Sequence, residues 1–283
     1  MPELPEVETI YLGLQKRIIG LEIKNIKLLQ PKSFIGDSKL LKGKKVLKVW
    51  RRAKILGIDL DGLTLLIHLK MSGQLVFQGK ENFVGGHPTL DMIGPMPHKH
   101  TRVVFEFNNG SHLYFNDLRR FGWIKVIGNS KLKIEKLLGN LGPEPLEKDF
   151  TWQILRTNLL RHRNMPVKVV LLDQKVVSGI GNIYASEACF NAKLDPRKKV
   201  GNLTDGQFKK LHKGIIKALS DGIRYGGSTR AHFVDAEGQK GYFLDYAFVY
   251  GRDKKPCKKC GSLIEKIQLV GRGTYWCKSC QKK

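Results

Sequence analysis

The hydrophobic pattern changes period once along this chain, and that change limits the architectures open to it. From about residue 21 to residue 127 apolar residues recur in short alternating runs, the period of a half-buried strand. Candidate strands are Leu21 to Leu29, Lys44 to Trp50, Ile55 to Leu60, Leu63 to His68, Gln74 to Phe77, Thr101 to Phe107, Ser111 to Asn116 and Trp123 to Val126. Asp61-Gly62 and Asn109-Gly110 lie between adjacent candidates and predict tight hairpins. A helix is predicted before this region, from about Pro5 to Ile19, with Val7, Ile10, Tyr11, Leu14 and Ile18 on one face. After residue 149 the period becomes 3.6. Helical patterns cover Phe150 to His162, Pro166 to Asp173, Asn182 to Phe190 and Asp205 to Tyr225; Thr204 and Gln207 form a capping-box pattern for the last, and Gly226-Gly227 ends it.

The stretch between the two patterns, GNSKLKIEKLLGNLGPEPLEKD, holds a short helix and then Gly-Pro-Glu-Pro. It reads as a connection. The expected fold class is α+β in two domains: an N-terminal β-sandwich with a terminal helix, then a helical domain that carries a cysteine-rich β-hairpin. The expected boundaries are 1–130 for the sandwich, 131–149 for the connection, 150–252 for the helical domain and 253–283 for the metal-binding end.

That last segment rests on cysteine spacing. Four of the five cysteines fall as Cys257-x-x-Cys260 and Cys277-x-x-Cys280, with sixteen residues between the pairs. Each CxxC turn aims two thiolates at one centre, and two such turns complete a tetrahedral shell for one zinc ion. Disulfides are the competing reading, disfavoured in a lysine-rich chain without secretory features. Four thiolates leave no open coordination position, so the metal is expected to be structural. Leu263 to Val270 and Thr274 to Cys277 read as strands around a turn at Gly271-Arg272-Gly273, which would leave Arg272 free to reach a phosphate. Cys189 reads as a buried apolar residue, and the histidines show no spacing for a second metal.

Composition supplies the partner. Lys plus Arg number 50 against 25 Asp plus Glu, a formal charge of +25. A surplus of this size implies a polyanion, nucleic acid before a membrane surface, because no helix concentrates a basic face. The longest apolar runs are too short to span a bilayer, and the N-terminus lacks a signal-peptide pattern. A cytoplasmic, nucleoid-associated monomer without membrane partners is expected.

Three segments add chemistry. SGIGNIYASE, Ser178 to Glu187, leads a Gly-rich turn into a helix whose first N–H groups, with the amide of Asn182, suit a phosphate. With the short helix before it, this gives two helices joined by a tight turn. NDLRRFGW, Asn116 to Trp123, sets two arginines and Phe121 beside a turn, and Met71 stands at another strand end. These residues read either as a surface arginine pair with Phe121 in the core, or as side chains that fill a duplex when a base is turned out. The opening MPELPEVET places Glu3, Glu6 and Glu8 around Pro2 and Pro5. Glu6 and Glu8 in a first helical turn complement the helix dipole by about 0.3 to 1 kcal/mol each. Neither Pro2 nor Glu3 is explained that way.

Taken together, PELPEVET, RRAK at Arg51 to Lys54, HLKMSG at His68 to Gly73, RRFG at Arg119 to Gly122, LGPEPL at Leu141 to Leu146, GIGNIYASE at Gly179 to Glu187, GYF at Gly241 to Phe243, VYGR at Val249 to Arg252 and the cysteine hairpin with GRGTYWC resemble the bacterial formamidopyrimidine-DNA glycosylases over essentially the whole chain. The resemblance implies an N-terminal β-sandwich, a helix-two-turn-helix domain and a zinc finger acting on double-stranded damaged DNA. It further implies that removal of Met1 exposes Pro2 as a nucleophile, that Glu3 is the general acid and that Glu6 orders the site. Attack at the sugar C1′ would expel an oxidised purine and leave an iminium link, and loss of both phosphates would follow by β,δ-elimination. Lys54 is then a phosphate contact. Asn182 and Arg272 grip the backbone, His100 joins the DNA-binding set, and Met71, Arg119 and Phe121 occupy the void, with Arg119 facing the orphaned cytosine.

Two departures from the family pattern stand out. Leu118 stands where proline is usual, and Arg230-Ala231-His232 differ within the expected lesion-recognition loop, residues 226 to 243. The stretch 79–100 reads as a long mobile loop. Two other readings accompany the leading one: an endonuclease VIII-like enzyme for oxidised pyrimidines, and a catalytically silent damaged-DNA-binding protein on the same scaffold.

Overall fold

Helix α1, Leu4–Ile18, shows why the N-terminal half folds as it does. Leu4, Val7, Ile10, Leu14 and Ile18 form a helical stripe and are all buried. Burying each such side chain contributes about 1.5 to 3 kcal/mol. The computed structural model describes residues 1–86, 94–228 and 243–282. It divides into two compact units, Met1–Gly139 with Gly226–Gly241, and Asn140–Tyr225 with Tyr242–Lys283.

The first unit is a sandwich of two five-stranded sheets. In chain order its strands are β1 Ile23–Leu28, β2 Phe34–Ile35, β3 Val46–Arg52, β4 Ile55–Leu60, β5 Leu63–His68, β6 Gly73–Gln78, β7 Phe83–Gly86, β8 Thr101–Phe107, β9 His112–Asp117 and β10 Trp123–Gly128. One sheet runs β1-β8-β9-β6-β7 and the other β2-β10-β5-β4-β3. All pairings are antiparallel except β2 with β10. Leu56, Ile58, Leu65 and Ile67 of one sheet share a core with Leu75, Val103, Phe105 and Phe115 of the other. Helix α1 packs on β7 and β3, an edge strand of each sheet. It thereby covers an open side of the sandwich. Arg51 of β3 holds it with an ion pair to Glu8 at 2.5 Å. Glu8 therefore has a partner beyond the helix dipole.

Both predicted hairpins form. Gly62 and Gly110 take positive φ between β4 and β5 and between β8 and β9. Strands β2 and β7 were not anticipated, and β7 falls inside the stretch read as a loop. Residues 87–93 of that stretch lie outside the described residues.

Helix α2, Lys131–Leu138, follows β10 in the first unit. The second unit comprises α3 Trp152–Leu160, α4 Val167–Val170, α5 Asn182–Asn191, α6 Asp205–Arg224, α7 Phe243–Tyr246 and the hairpin β11 Glu265–Leu269 with β12 Arg272–Trp276. The capping box of α6 is present, with the Gln207 N–H donating to Thr204 Oγ1 (3.3 Å) and the Thr204 N–H to Gln207 Oε1 (3.1 Å). Helix α5 packs on α6 and on β12. Cys189 is buried, and burial pushes its thiol up to about 12, so it is inert. Among the described residues, no helix is long and apolar enough to cross a membrane.

Candidate active site and nucleic-acid interface

The start of α1 gathers four candidate residues. Pro2, Glu3, Glu6 and Lys54 are all buried in the first unit. Glu6 is the hub: its Oε2 accepts the Glu3 N–H at 2.7 Å and its Oε1 accepts the Ser228 N–H at 2.8 Å. Gly227 makes the second contact possible, since it sits at φ +89° and a Cβ there would lie 3.1 Å from Glu6 Cγ. The rest of the expected recognition loop, residues 229–242 with Arg230, Ala231 and His232, lies outside the described residues.

Lys54 occupies the two-residue turn between β3 and β4, behind Ala53 at φ +53°. Burial pushes its ammonium pKa down, and the Glu3 and Glu6 carboxylates pull it back up. The α-amino group of Met1 behaves alike: burial lowers its pKa first, Glu3 and Glu6 raise it, and Lys54 and Arg119 lower it further. Desolvation thus outweighs the carboxylates at the Met1 amine.

His68, which sequence reasoning passed over, ends β5 opposite Ile55, next to Lys54. Its Nδ1 accepts the Lys70 N–H at 2.9 Å and its ring tilts against Trp123. Burial, then the charges of Lys70 and Lys54, push its pKa down to about 4. The neutral ring must carry its proton on Nε2.

Two loop segments of the first unit present the candidate void-filling side chains. Met71 is 38% exposed and Phe121 is 55% exposed. Placement of Phe121 in the core is thereby excluded. The Arg119 guanidinium lies 4.9 Å from the Phe121 ring centre. His100 is half-buried, its N–H donates to His98 Nδ1 (3.1 Å), and its carbonyl accepts the Asp117 N–H at 2.9 Å.

The second unit brings Asn182 and the zinc hairpin together. Asn182 opens α5 and donates through Nδ2 to the Gly273 carbonyl at 3.0 Å, while its Oδ1 accepts from Lys168 Nζ. Lys168 is fully buried and also donates to Thr274 Oγ1 at 3.0 Å. Sequence reasoning missed Lys168, because lysine ordinarily lies on the surface. The Asn182 amide is therefore engaged within the protein. Arg272 is exposed, as expected, but it does not sit in the turn. The turn is Val270-Gly271, at φ +45° and +71°, and Arg272 is the first residue of β12, paired with Leu269.

The four cysteine sulfurs lie within 4.8 Å of one another. Cys257 to Cys280 is 3.9 Å and Cys260 to Cys277 is 3.5 Å. A tetrahedron built on zinc–sulfur bonds of about 2.3 Å has edges of about 3.8 Å. Disulfides would need sulfurs at about 2.05 Å. The geometry fits one four-thiolate zinc ion, and Cys257 and Cys277 pack with Phe190, Val249 and Ile264 around it.

Comparison with known sequences accounts for the whole chain. Residues 1–124 match the profile of the formamidopyrimidine-DNA glycosylase N-terminal domain, residues 141–234 that of the formamidopyrimidine-DNA glycosylase H2TH domain, and residues 254–283 that of a zinc finger found in FPG and IleRS. The chain belongs to the formamidopyrimidine-DNA glycosylase family. It is 39% identical to the formamidopyrimidine-DNA glycosylase of Pelotomaculum thermopropionicum, over 100% of this chain and 99% of that one, and 41% identical to that of Roseobacter denitrificans, over the full length of both. A Lactococcus lactis FPG variant solved in complex with Fapy-dG-containing DNA superposes with a TM-score of 0.86 at 34% identity, covering 100% of both chains. The same score and identity hold for the Lactococcus lactis Fpg solved with abasic-site DNA, covering 99% of this chain and 100% of that one. As a formamidopyrimidine-DNA glycosylase family member, the chain has the fold of a DNA-repair glycosylase, and its four cysteines form the structural zinc site of that family's finger.

Proposed function

We propose that this protein is a bifunctional DNA glycosylase and AP lyase that excises oxidised purines from duplex DNA through the nitrogen of Pro2. The observation that carries this reading is the buried cluster at the start of α1, where Pro2 lies with two carboxylates, Glu3 and Glu6, and Lys54 in the same unit. With Met1 removed, the Pro2 nitrogen lone pair attacks the sugar C1′. The C1′–N bond breaks toward the base, which leaves with its electron pair and takes up a proton, and C1′ is then bonded to both the Pro2 nitrogen and the ring oxygen O4′. The Pro2 nitrogen loses its proton, its lone pair breaks the C1′–O4′ bond as Glu3 protonates O4′, and the ring-opened product is an iminium cation at C1′. This cation makes the C2′ proton acidic, so its loss expels the 3′ phosphate, and a second elimination expels the 5′ phosphate.

Glu6 orders this site through the hydrogen bonds it accepts from the Glu3 and Ser228 N–H groups, and Lys54 contacts a phosphate beside the lesion. Met71, Arg119 and Phe121 fill the space left by the extruded base, with Arg119 toward the orphaned cytosine. His100 contributes a DNA contact from the same unit. In the second unit Asn182, at the α5 start, and Arg272, exposed beside the hairpin turn, contact the DNA backbone. A net charge of +25 supports an electrostatic grip on duplex DNA.

The test is borohydride trapping during incubation with duplexes carrying 8-oxoguanine opposite cytosine or thymine glycol. A covalent adduct on 8-oxoguanine that disappears when the N-terminus keeps Met1 is the expected result. Absence of an adduct from correctly processed protein would leave a silent DNA-binding protein. Stronger trapping on thymine glycol would make the enzyme endonuclease VIII-like; a Lactococcus lactis Fpg solved with oxidised-pyrimidine-containing DNA makes that arm worth running.

A further inference from the structure

We infer that Asp117 and Ser72 are positioning residues that hold Met71, Arg119 and Phe121 as one rigid wedge; the inference rests on the void-filling role proposed above. Asp117 ends β9 and is completely buried. Its Oδ1 accepts the Ser72 hydroxyl at 2.5 Å and the Arg119 N–H at 3.2 Å, and its Oδ2 accepts the Gly122 N–H at 2.7 Å. One carboxylate thus closes the loop from Leu118 to Phe121 at both ends. Ser72 Oγ in turn accepts the Arg119 N–H at 2.9 Å. Because Ser72 directly follows Met71, the same knot fixes both segments.

The knot is itself anchored. The Asp117 carbonyl accepts from Nε of the buried Arg102 at 2.8 Å, its N–H donates to His100, and Asp117 pairs in register with Gly73 of β6. Gly122 is required by the close approach, since a Cβ there would lie 2.8 Å from the Phe115 ring and 3.1 Å from Asp117 Oδ2. Arg120 completes the turn in the left-handed region at φ +60°. Leu118 cannot restrain φ as a proline would, so the rigidity of this loop comes from the buried carboxylate rather than from a ring.

A wedge is needed most when an intact, stacked base must be pushed out, and least when the base is already missing. Ser72→Ala should therefore lower excision of 8-oxoguanine opposite cytosine on the order of 10- to 100-fold, the scale of a small misplacement. Trapping on a duplex with a preformed abasic site should fall much less, and the preference for cytosine over adenine opposite the lesion should flatten. Ser72→Thr, which keeps the hydroxyl, should restore both. Asp117→Asn, checked for folding by its melting temperature and zinc content, should repeat the pattern, because its amide would face an N–H donor.

Equal losses on the two substrates, or an intact opposite-base preference, would overturn the inference. Should the wild-type protein prove inactive on both, 2-aminopurine opposite a reduced abasic site reads wedge insertion without chemistry. Its fluorescence on binding should rise with wild type and less with Ser72→Ala. An equal rise would overturn the inference independently of the catalytic proposal.

Discussion

Lowering the pH should destabilise this protein through one histidine. His68 has an ordinary pKa of 6.5 when exposed, and burial with the neighbouring Lys70 and Lys54 charges brings it down to about 4. The unfolded chain binds a proton near the higher value and the folded protein only near the lower one. Between them the unfolded state holds more protons, so stability is fully present above pH 6.5 and is lost as pH falls toward 4. The shift corresponds to about 3 kcal/mol. Equilibrium urea unfolding at about pH 7 and about pH 4.5 measures the loss, and His68→Asn separates it from the carboxylates that titrate in the same window. Asparagine can offer a carbonyl to the Lys70 N–H, now received by Nδ1 at 2.9 Å, but it does not titrate. Wild type should lose about 2 to 3 kcal/mol more than the variant between the two conditions. Parallel losses, or an NMR titration placing His68 at its ordinary value, would refute the reasoning.

Two further outcomes concern the zinc hairpin. Arg272→Ala should weaken duplex binding and make its salt dependence shallower by about one in slope, with one equivalent of zinc retained by metal analysis. Loss of zinc would show that Arg272 supports the finger instead of the DNA. Val270→Asn should stabilise the hairpin by about 1 kcal/mol, because a β-branched residue at φ +45° is strained and Asn-Gly suits a two-residue turn; an unchanged or lower unfolding temperature of the zinc-loaded protein would contradict this.

The strands of the sandwich were legible because the residues that fill the shared core recur at every second position, as in Leu56, Ile58 and Leu60 or Leu113 and Phe115. Strand β2 has only two residues and β7 ends in Gly85-Gly86, so neither carries an alternation to read. The zinc turn was centred two residues late because valine argues against positive φ at position 270. Motif resemblance pointed to Pro2, Glu3 and Lys54, and to Asn182 and Arg119. The residues that hold Asn182 and the Arg119 loop were illegible for a physical reason: Lys168 and Asp117 are charged residues, and only tertiary structure reveals that they are buried with partners. Phe121 was ambiguous because the backbone on either side of it donates to Ser72 and Asp117, and Ser72 comes from a distant strand end that the local pattern does not encode.

The hydrogen bond from the Ser228 N–H to Glu6 joins residues 222 positions apart. At about 5 to 20 residues per second, a ribosome needs roughly 10 to 45 s to make the chain between them. Throughout that interval Glu6 lacks the Ser228 N–H. The proposed trimming of Met1 therefore falls to the nascent chain, before residue 228 is made and its N–H meets Glu6.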